Sequence, residues 1–293
     1  MSLGNSMTSP QDPDLDGAFY YGNIDDHSRP LAILVHGFPD TPNTWRYLAP
    51  ALADAGWRVT APWLRGYRSA HGAPISAGTY VKDVLTWHKH LAGDERCLLI
   101  GHDWGANAAY GAVTMAPAAF SRVVTLAVPP VGALGGGILD YAQVRRSFYI
   151  WFIQLAGMAE AAMVSPAFFE NLWRDWSPGY NAAVDLAHLR QHLDTDTIGS
   201  MIAPYRAAFD PARNDPMAAD EAAASLADPP IPTLYLHGAN DGALGADALA
   251  DVESHLPAKG SAFRLVEGAG HFLHLERPSL VNEIVLGWLS DSK

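Results

Sequence analysis

Three loop segments of this chain carry a carboxylate, a second carboxylate and a histidine in an order that suits covalent catalysis. Asp103 lies in the run Gly-His-Asp-Trp-Gly, and further along the chain Asp241 and His271 each follow a short glycine-containing stretch. A carboxylate can attack a saturated carbon without first losing a proton, whereas a serine hydroxyl must be deprotonated as it attacks. A histidine oriented by a second carboxylate can activate water. The three residues therefore suit the roles of nucleophile, acid and base.

The surroundings of Asp103 predict a sharp turn between a strand and a helix. A short apolar run, Cys97 to Ile100, precedes it, and a helix-favouring segment of small residues follows to about Met115. Glycines two positions before and two positions after Asp103 leave room for the two backbones to approach, so the side chain can be held on a strained tip. This is the pattern of a nucleophile elbow, with Asp where Ser is usual. The simpler alternative is an ordinary turn whose Asp caps the helix.

Strands and helices alternate around these loops. Strands are predicted at Phe19 to Gly22, Leu31 to Val35, Arg58 to Ala61, Cys97 to Ile100, Arg122 to Val128, Thr233 to His237 and Ala262 to Val266. Helices are predicted at Asn43 to Ala55, Gly78 to Leu91, Ala246 to His255 and Pro278 to Leu289, besides the one after Asp103. The alternation predicts an α/β fold with a mostly parallel, twisted sheet flanked by helices. All three candidate catalytic loops then follow strands, at the edge where such sheets bind ligands.

The alternation stops between residues 131 and 230, where aromatic and alanine-rich helical stretches replace it. We expect these residues to form a helical cap, inserted after the strand that ends near Val128. Residues 17–130 and 231–293 then form the core, and residues 1–16, rich in Ser, Pro, Asp and Gly, are expected to be disordered.

The composition excludes several classes of function. The formal net charge of the 293 residues is -12 and no Lys/Arg run is present, which argues against binding to nucleic acid or to an anionic membrane. No apolar run approaches the length of a membrane span, and no targeting segment is recognisable. The single cysteine, Cys97, suits a reducing compartment. The sequence thus predicts a cytoplasmic protein. Residues 132–137 are glycine-rich but lack the spacing of a dinucleotide loop, and no cofactor is expected.

On its motifs the chain resembles the α/β-hydrolases, and among them the epoxide hydrolases and their haloalkane dehalogenase relatives. The motifs are His36-Gly37-Phe38-Pro39, the Gly-His-Asp-Trp-Gly run at 101–105 and Gly270-His271, and the resemblance extends from about Phe19 onward. It implies that Asp103 attacks carbon and that His271 and Asp241 activate water. It also implies that the backbone N–H groups of Phe38 and Trp104 form an oxyanion hole. His36 is expected to brace this turn, and His36 and Pro39 are counted with the substrate-binding residues.

Two segments of the predicted cap resemble those in which epoxide hydrolases carry a pair of ring-opening tyrosines. The matching positions are Tyr149 and Tyr205, with Tyr141 and Tyr180 as nearby competitors. A neutral phenol can donate a proton to the oxygen of an epoxide. Trp151 and Phe152, among other cap aromatics, predict an apolar pocket roof. The resemblance therefore implies hydrolysis of a small hydrophobic epoxide to a vicinal diol, without a metal; a homodimer is left open.

A haloalkane dehalogenase is the main alternative, because it uses the same Asp nucleophile. Many such enzymes carry Asn at the position of Phe38, but another type binds halide with a cap tryptophan and the one after the nucleophile. Here those would be Trp104 with Trp151, Trp173 or Trp176. Fluoroacetate dehalogenases carry arginines near the nucleophile, and Trp104 and Asn107 stand at those positions. A small acidic substrate is therefore disfavoured.

Two further classes and one departure from the family pattern complete the sequence interpretation. A catalytically silent binding scaffold would have no reason to keep nucleophile, acid and base together. A metal enzyme is suggested by His188 and His192, which would share a helix face, but the Glu of a metalloprotease motif is missing. Trp63 stands where the family usually has Asp before Leu-Arg-Gly-Tyr, which bears either on the site wall or on local packing.

Overall fold

Seven strands form one sheet in the computed structural model of the protein, which describes residues 15–135 and 137–291. The strands are β1 (Phe19–Tyr21), β2 (Leu31–Val35), β3 (Arg58–Ala61), β4 (Cys97–His102), β5 (Phe120–Leu126), β6 (Thr233–Gly238) and β7 (Ala262–Val266). Their order in the sheet is β1-β3-β2-β4-β5-β6-β7, and β1 is antiparallel to β3 while the other pairs are parallel. The predicted sheet is confirmed. The disorder expected of residues 1–16 falls outside the described residues, except for the last two.

Helices cover both faces of the sheet. They are α1 (Leu48–Asp54), α2 (Ala77–His90), α3 (Trp104–Met115), α4 (Tyr141–Arg146), α5 (Phe148–Ile153), α6 (Met158–Met163), α7 (Pro166–Trp176), α8 (Ala183–Arg190), α9 (Thr195–Ala207), α10 (Ala219–Ala224), α11 (Leu273–Glu276) and α12 (Pro278–Ser290). Successive residues of a strand point to opposite faces, so Leu31 and Ile33 join one apolar core while Ala32 and Leu34 join the other. All residues of β2 and β4 are buried, as expected of central parallel strands.

Two predicted helices differ from the structure. The helix predicted at Asn43 to Ala55 is a 3₁₀ turn at Pro42–Trp45 followed by α1. Residues 246–255 form two short 3₁₀ turns, Ala246–Ala248 and Val252–His255, instead of one α-helix. Asp251 between them has a φ of 44°, in the left-handed region that interrupts a right-handed helix. The Ala250 N–H does not form a helical hydrogen bond either, because it donates to the Ala133 carbonyl at 2.7 Å.

Helices α4 to α10 occupy the segment between β5 and β6 that the sequence assigns to a cap. They do not all lie over the same part of the molecule. Helix α10 and the turn before it pack against α2 and α3. The contact is close: a side chain at Gly78 would collide with the Ala218 carbonyl, and one at Gly111 would crowd Ser225. In the described residues, no helix combines the length and the apolar character needed to span a membrane.

Candidate active site

Asp103 lies at the tip of a tight turn between β4 and α3. Its φ of 52° and ψ of -118° are unfavourable for a residue with a Cβ atom, which is the strained elbow that the sequence predicts. Gly105 makes the turn possible, because a Cβ atom there would lie 2.1 Å from the carbonyl oxygen of Val35 at the end of β2. The Asp103 side chain is buried, with 6% of the residue exposed.

The two carboxylate oxygens of Asp103 have different surroundings. The Phe38 backbone N–H donates a hydrogen bond of 2.7 Å to Oδ1. Oδ2 lies 3.7 Å from Nε2 of His271, beyond an ordinary hydrogen bond. The structure therefore anchors one oxygen on the turn after β2 and leaves the other facing the imidazole. The Phe38–Pro39 peptide bond in this turn is cis.

His271 is oriented by Asp241. The Nδ1–H of His271 lies 2.9 Å from Oδ2 of Asp241, and Oδ1 of Asp241 accepts from the N–H groups of Ala243 and Leu244 at 2.7 and 3.0 Å. Because the carboxylate can only accept, Nδ1 carries the proton and Nε2 is left with its lone pair. Nε2 is buried and has no hydrogen-bond partner among the described residues.

For Asp103 and for His271 alike, burial and neighbouring charges shift the pKa in opposite directions. Burial raises the pKa of Asp103, although the neighbouring His271 and the backbone N–H groups of Phe38 and Trp104 favour its ionised form. Burial alone would lower the pKa of His271, but the Asp241 carboxylate more than reverses this, so the pKa lies above its ordinary value. The site thus holds an imidazole of increased basicity beside a carboxylate that is poorly solvated.

Tyr149 on α5 and Tyr205 on α9 meet above Phe38. The ring centroids of the two tyrosines lie 5.7 Å apart, and those of Phe38 lie 6.4 Å from Tyr149 and 5.2 Å from Tyr205. Burial raises the pKa of both phenols well above the ordinary value, and the Asp103 charge raises them further. Both side chains are therefore neutral donors close to Asp103. The Tyr205 hydroxyl has no hydrogen-bond partner among the described residues.

The competing tyrosines lie elsewhere. Tyr141 is 79% exposed. The Tyr180 hydroxyl donates to Asp185 at 2.8 Å and accepts from Arg46, so it belongs to an ion pair between α8 and the core.

The His36 ring and the Pro39 carbonyl form hydrogen bonds with neighbouring residues of the protein. The Nδ1–H of His36 donates to the Gly37 carbonyl at 3.0 Å, and Nε2 accepts from the Leu64 N–H at 3.1 Å. With no exposed surface and both nitrogens engaged, His36 fits the expected brace and not its assignment to substrate binding. The Pro39 carbonyl accepts from the Trp173 indole N–H at 3.1 Å. Both residues therefore shape the turn that holds Phe38.

The predicted pocket aromatics separate in the structure. Trp151 is 43% exposed and its ring meets Phe209, so it lies on the outer face of α5, opposite the buried Tyr149. Phe152 stacks on Phe168, 5.8 Å between centroids. The assignment of Trp151 to substrate binding is thus not supported, because helical geometry points positions 149 and 151 to different sides. The Trp104 ring does join the site, 5.0 Å from Tyr205, and its buried indole N–H has no hydrogen-bond partner in the described chain.

Trp63, the departure from the family pattern, packs outside the site. Its indole N–H donates to the Gly17 carbonyl at 3.1 Å, and its ring lies 4.6 Å from that of His192. His192 is therefore an aromatic contact of Trp63.

Sequence reasoning missed a buried cluster behind His271, formed by Asp40, His102 and His274. One potential ligand atom from each lies within 4.8 Å of the others, so the three could hold a metal ion. Burial raises the pKa of Asp40 well above its ordinary value and lowers those of both histidines, which favours uncharged groups. Oδ2 of Asp40 and Nδ1 of each histidine are buried without a hydrogen-bond partner among the described residues. The Nε2–H of His102 donates to the His271 carbonyl at 3.0 Å, which gives His102 a structural role beside the base.

An open cavity of about 840 Å³ lies beside α6 and α9, and its walls include His71, Glu160 and Arg213. None of Asp103, Asp241 and His271 lines it. We therefore place the candidate active site at the buried triad and not at this cavity.

Comparisons with known proteins show the family to which this chain belongs. The family model of the alpha/beta hydrolase fold matches residues 30–278. Epoxide hydrolase A of Mycobacterium tuberculosis is 30% identical, with 89% of this chain and 90% of that protein covered. Human epoxide hydrolase 4 is 26% identical, with 93% and 76% covered. The crystal structure of epoxide hydrolase A from Mycobacterium thermoresistibile superposes with a TM-score of 0.66 at 24% identity, covering 93% of each chain. The chain belongs to the α/β-hydrolase family and is an epoxide hydrolase-like hydrolase within it.

Proposed function

We propose that the protein is an epoxide hydrolase that converts a small hydrophobic epoxide to a vicinal diol through an ester on Asp103. The observation that carries the proposal is the pair of buried phenols, Tyr149 and Tyr205, close to Asp103. An epoxide differs from an alkyl halide in that its departing oxygen needs a proton. Two neutral phenols beside the nucleophile supply that need.

In the first step, Oδ2 of Asp103 attacks a ring carbon and the carbon–oxygen bond of the epoxide breaks. The freed oxygen takes a proton from Tyr149 or Tyr205, which leaves a hydroxyalkyl ester and a phenolate. Oδ2 is the attacking atom because the Phe38 N–H already holds Oδ1. Anchoring one oxygen fixes the direction of the other, which lowers the entropic cost of reaching the attack geometry.

In the second step, Nε2 of His271 takes a proton from water, and the water oxygen attacks Cγ of the Asp103 ester. The negative charge develops on Oδ1, where the N–H groups of Phe38 and Trp104 stabilise it. Oδ2 then leaves with the product and takes the proton from His271. The regenerated carboxylic acid of Asp103 releases its proton, which restores the phenol and completes the cycle.

A haloalkane dehalogenase is the second candidate, and one observation favours it. The buried Trp104 indole N–H faces the Tyr205 phenol without forming a hydrogen bond of good geometry in the described chain, and it could solvate a halide ion. The second tryptophan that such a site needs is less well provided. The Trp173 N–H is bound to Pro39 and Trp151 is on the surface, which leaves Trp176.

The proposal is tested by incubating the protein with matched panels of aliphatic and aromatic epoxides and of chloro- and bromoalkanes, measuring diol and halide. We expect diol from epoxides and little halide. A single turnover in H₂¹⁸O, with enzyme in excess, should place ¹⁸O in Asp103 and not in the diol. Label found directly in the diol would contradict the ester intermediate, and halide release that survives Tyr149→Phe would favour the dehalogenase.

A further inference from the structure

The carbonyl of Trp176 joins the acid loop and the base loop of the site. It accepts from the Gly242 N–H at 3.1 Å and from the His271 N–H at 3.0 Å. Gly242 follows Asp241 directly, so one oxygen at the end of α7 binds the backbone beside each member of the acid–base pair. The Trp176 ring, which is buried, also lies between Tyr149 and His271, at centroid distances of 4.8 and 4.9 Å.

The next residue extends this connection to Glu276 on α11. The Ser177 hydroxyl accepts from the Phe272 N–H at 3.0 Å and donates to Oε1 of Glu276 at 2.6 Å. The Glu276 carboxylate in turn accepts from the Gly270 N–H, at 2.9 Å to each oxygen. Backbone N–H groups at 270, 271 and 272 are therefore all bound, two by the segment Trp176–Ser177 and one by Glu276.

This contact depends on a close approach of two backbones. A Cβ atom at Gly270 would lie 2.5 Å from the Trp176 carbonyl oxygen and 2.7 Å from Cα of Ser177. Ser177 has no exposed surface. The packing leaves no space for the loop that carries His271 to shift without breaking these hydrogen bonds.

We propose that Ser177 and Glu276 are positioning residues that, with the Trp176 carbonyl, hold the His271 loop against the segment before α8. The inference rests on the proposed function, because it assigns them to the water-activating step. The helical segment between β5 and β6 then serves both half-reactions, since it carries the two phenols and also sets the direction of the imidazole. Neither residue touches the reacting atoms.

The test uses Ser177→Ala and Glu276→Gln in the full-length protein, with Ser200→Ala as a matched control. Ser200 on α9 also accepts a backbone N–H from the core, that of His71 at 3.0 Å, and donates onward to the Asp196 carbonyl. Unlike those of Ser177, these hydrogen bonds join α9 to the loop before α2 and involve neither the Asp241 loop nor the His271 loop. Gln at 276 keeps the shape of the side chain and the Oε1 acceptor for Ser177 and Gly270, and replaces the charge and the second acceptor of the Gly270 N–H with an NH2 group.

Single-turnover mixing with an epoxide, followed by mass spectrometry of the quenched protein, separates formation of the Asp103 ester from its hydrolysis. We expect Ser177→Ala to slow ester hydrolysis roughly 10-fold, with ester formation and KM changed by less than about two-fold, because small displacements of a catalytic group reduce the rate strongly. Ser200→Ala should change neither step. Equal rates of hydrolysis in the two serine variants would overturn the proposal.

The titration of His271, followed by NMR of labelled histidine and assigned with His271→Gln, is a second readout that needs no substrate. The titratable groups around this imidazole are Asp103, Asp241, Glu276, His102, His237 and His274. Since the Glu276 charge helps to raise the pKa of His271, Glu276→Gln should lower that pKa and move the acid limb of kcat to lower pH. An unchanged titration contradicts the proposal even where Ser177→Ala fails to fold. A parent protein that forms no diol contradicts the proposed function instead.

Discussion

The sheet edge and the helices above it hold their site residues by different means. Asp103, Asp241 and His271 follow β4, β6 and β7, and hydrogen bonds of 2.7 to 3.0 Å fix both carboxylates and the imidazole. Tyr149 and Tyr205 are held by ring packing around Phe38 and Trp176. Strand register changes only by whole residues, whereas a packed aromatic cluster tolerates substitutions that conserve its volume. The sheet edge therefore suits chemistry that must stay constant, and the helical segment suits the part that selects the leaving group.

The largest effect should come from Asp103→Ala, which removes the proposed nucleophile. We expect diol formation to fall by roughly 10⁴-fold or more, because loss of a covalent nucleophile removes the reaction path and not only a contact. No ester should appear by mass spectrometry. The free energy of unfolding, from urea titration, should not decrease, since the variant removes a poorly solvated carboxylate and leaves the backbone conformation of the turn as it is. An ester on any other residue of the variant would show that Asp103 is not the only nucleophile at the sheet edge.

Replacing His271 should separate the two half-reactions. In His271→Gln the carboxylate still attacks, but no base activates water, so turnover should fall by roughly 10³-fold or more. One equivalent of ester per chain should accumulate on Asp103 in the first minutes after mixing. Mass spectrometry of the intact protein measures this directly, with Ser200→Ala as a variant that should not accumulate it. Steady turnover without accumulation would show that ester hydrolysis does not depend on the imidazole.

Most of the sheet could be predicted because buried parallel strands are continuous apolar runs. β2, β3 and β7 begin and end at the predicted residues. The loops after β4, β6 and β7 must meet at one edge once the strands are parallel, so the meeting of Asp103, Asp241 and His271 follows from chain order. The 3₁₀ turns at 246–255 could not be foreseen, because the left-handed Asp251 has no residue-type signature of the kind that glycine supplies.

The helical segment was harder to interpret for a physical reason. Tyr149 and Tyr205 stand out because phenols are chemically distinctive, but the aromatic run 148–152 does not reveal which ring faces inward until α5 is placed. The contacts of Trp176 and Ser177 with the catalytic loops use a backbone carbonyl and one hydroxyl. Ser177 precedes Pro178-Gly179, a pattern that indicates only a turn. Backbone contacts between distant segments leave no pattern in the sequence.

The proposed role of the two phenols can be tested by comparing an epoxide with an alkyl halide as substrate. Tyr149→Phe and Tyr205→Phe should each slow ester formation from an epoxide by roughly 10- to 100-fold, and the double variant should lose more than either, because each can protonate the departing oxygen. Ester formation from an alkyl halide should change little, since halide leaves without a proton. Stopped single turnovers with both substrate types measure this. An equal loss with both would mean that the phenols shape the site and do not donate a proton.

The smallest expected effect on turnover comes from replacing His36, which braces the turn that holds Phe38. The change should instead be measurable in the free energy of unfolding. Burial lowers the pKa of His36 from 6.5 to about 4, so folding favours the neutral imidazole. Its contribution to stability is complete above pH 6.5 and is lost as the pH falls toward 4. Between pH 7 and 5 the loss should be about 2 kcal/mol at most. Urea unfolding of the parent and of His36→Asn at both pH values isolates this term.

Opposite contributions from acids such as Asp83, whose pKa is raised to about 6, are shared by parent and variant and cancel in the difference. We therefore expect the stability gap between parent and His36→Asn to be larger at pH 7 than at pH 5. A gap that does not change with pH would mean that His36 is not held neutral on the turn. The anchoring of Phe38 would then have to come from Pro39 and its hydrogen bond to Trp173, which would make even the oxyanion hole dependent on the helical segment.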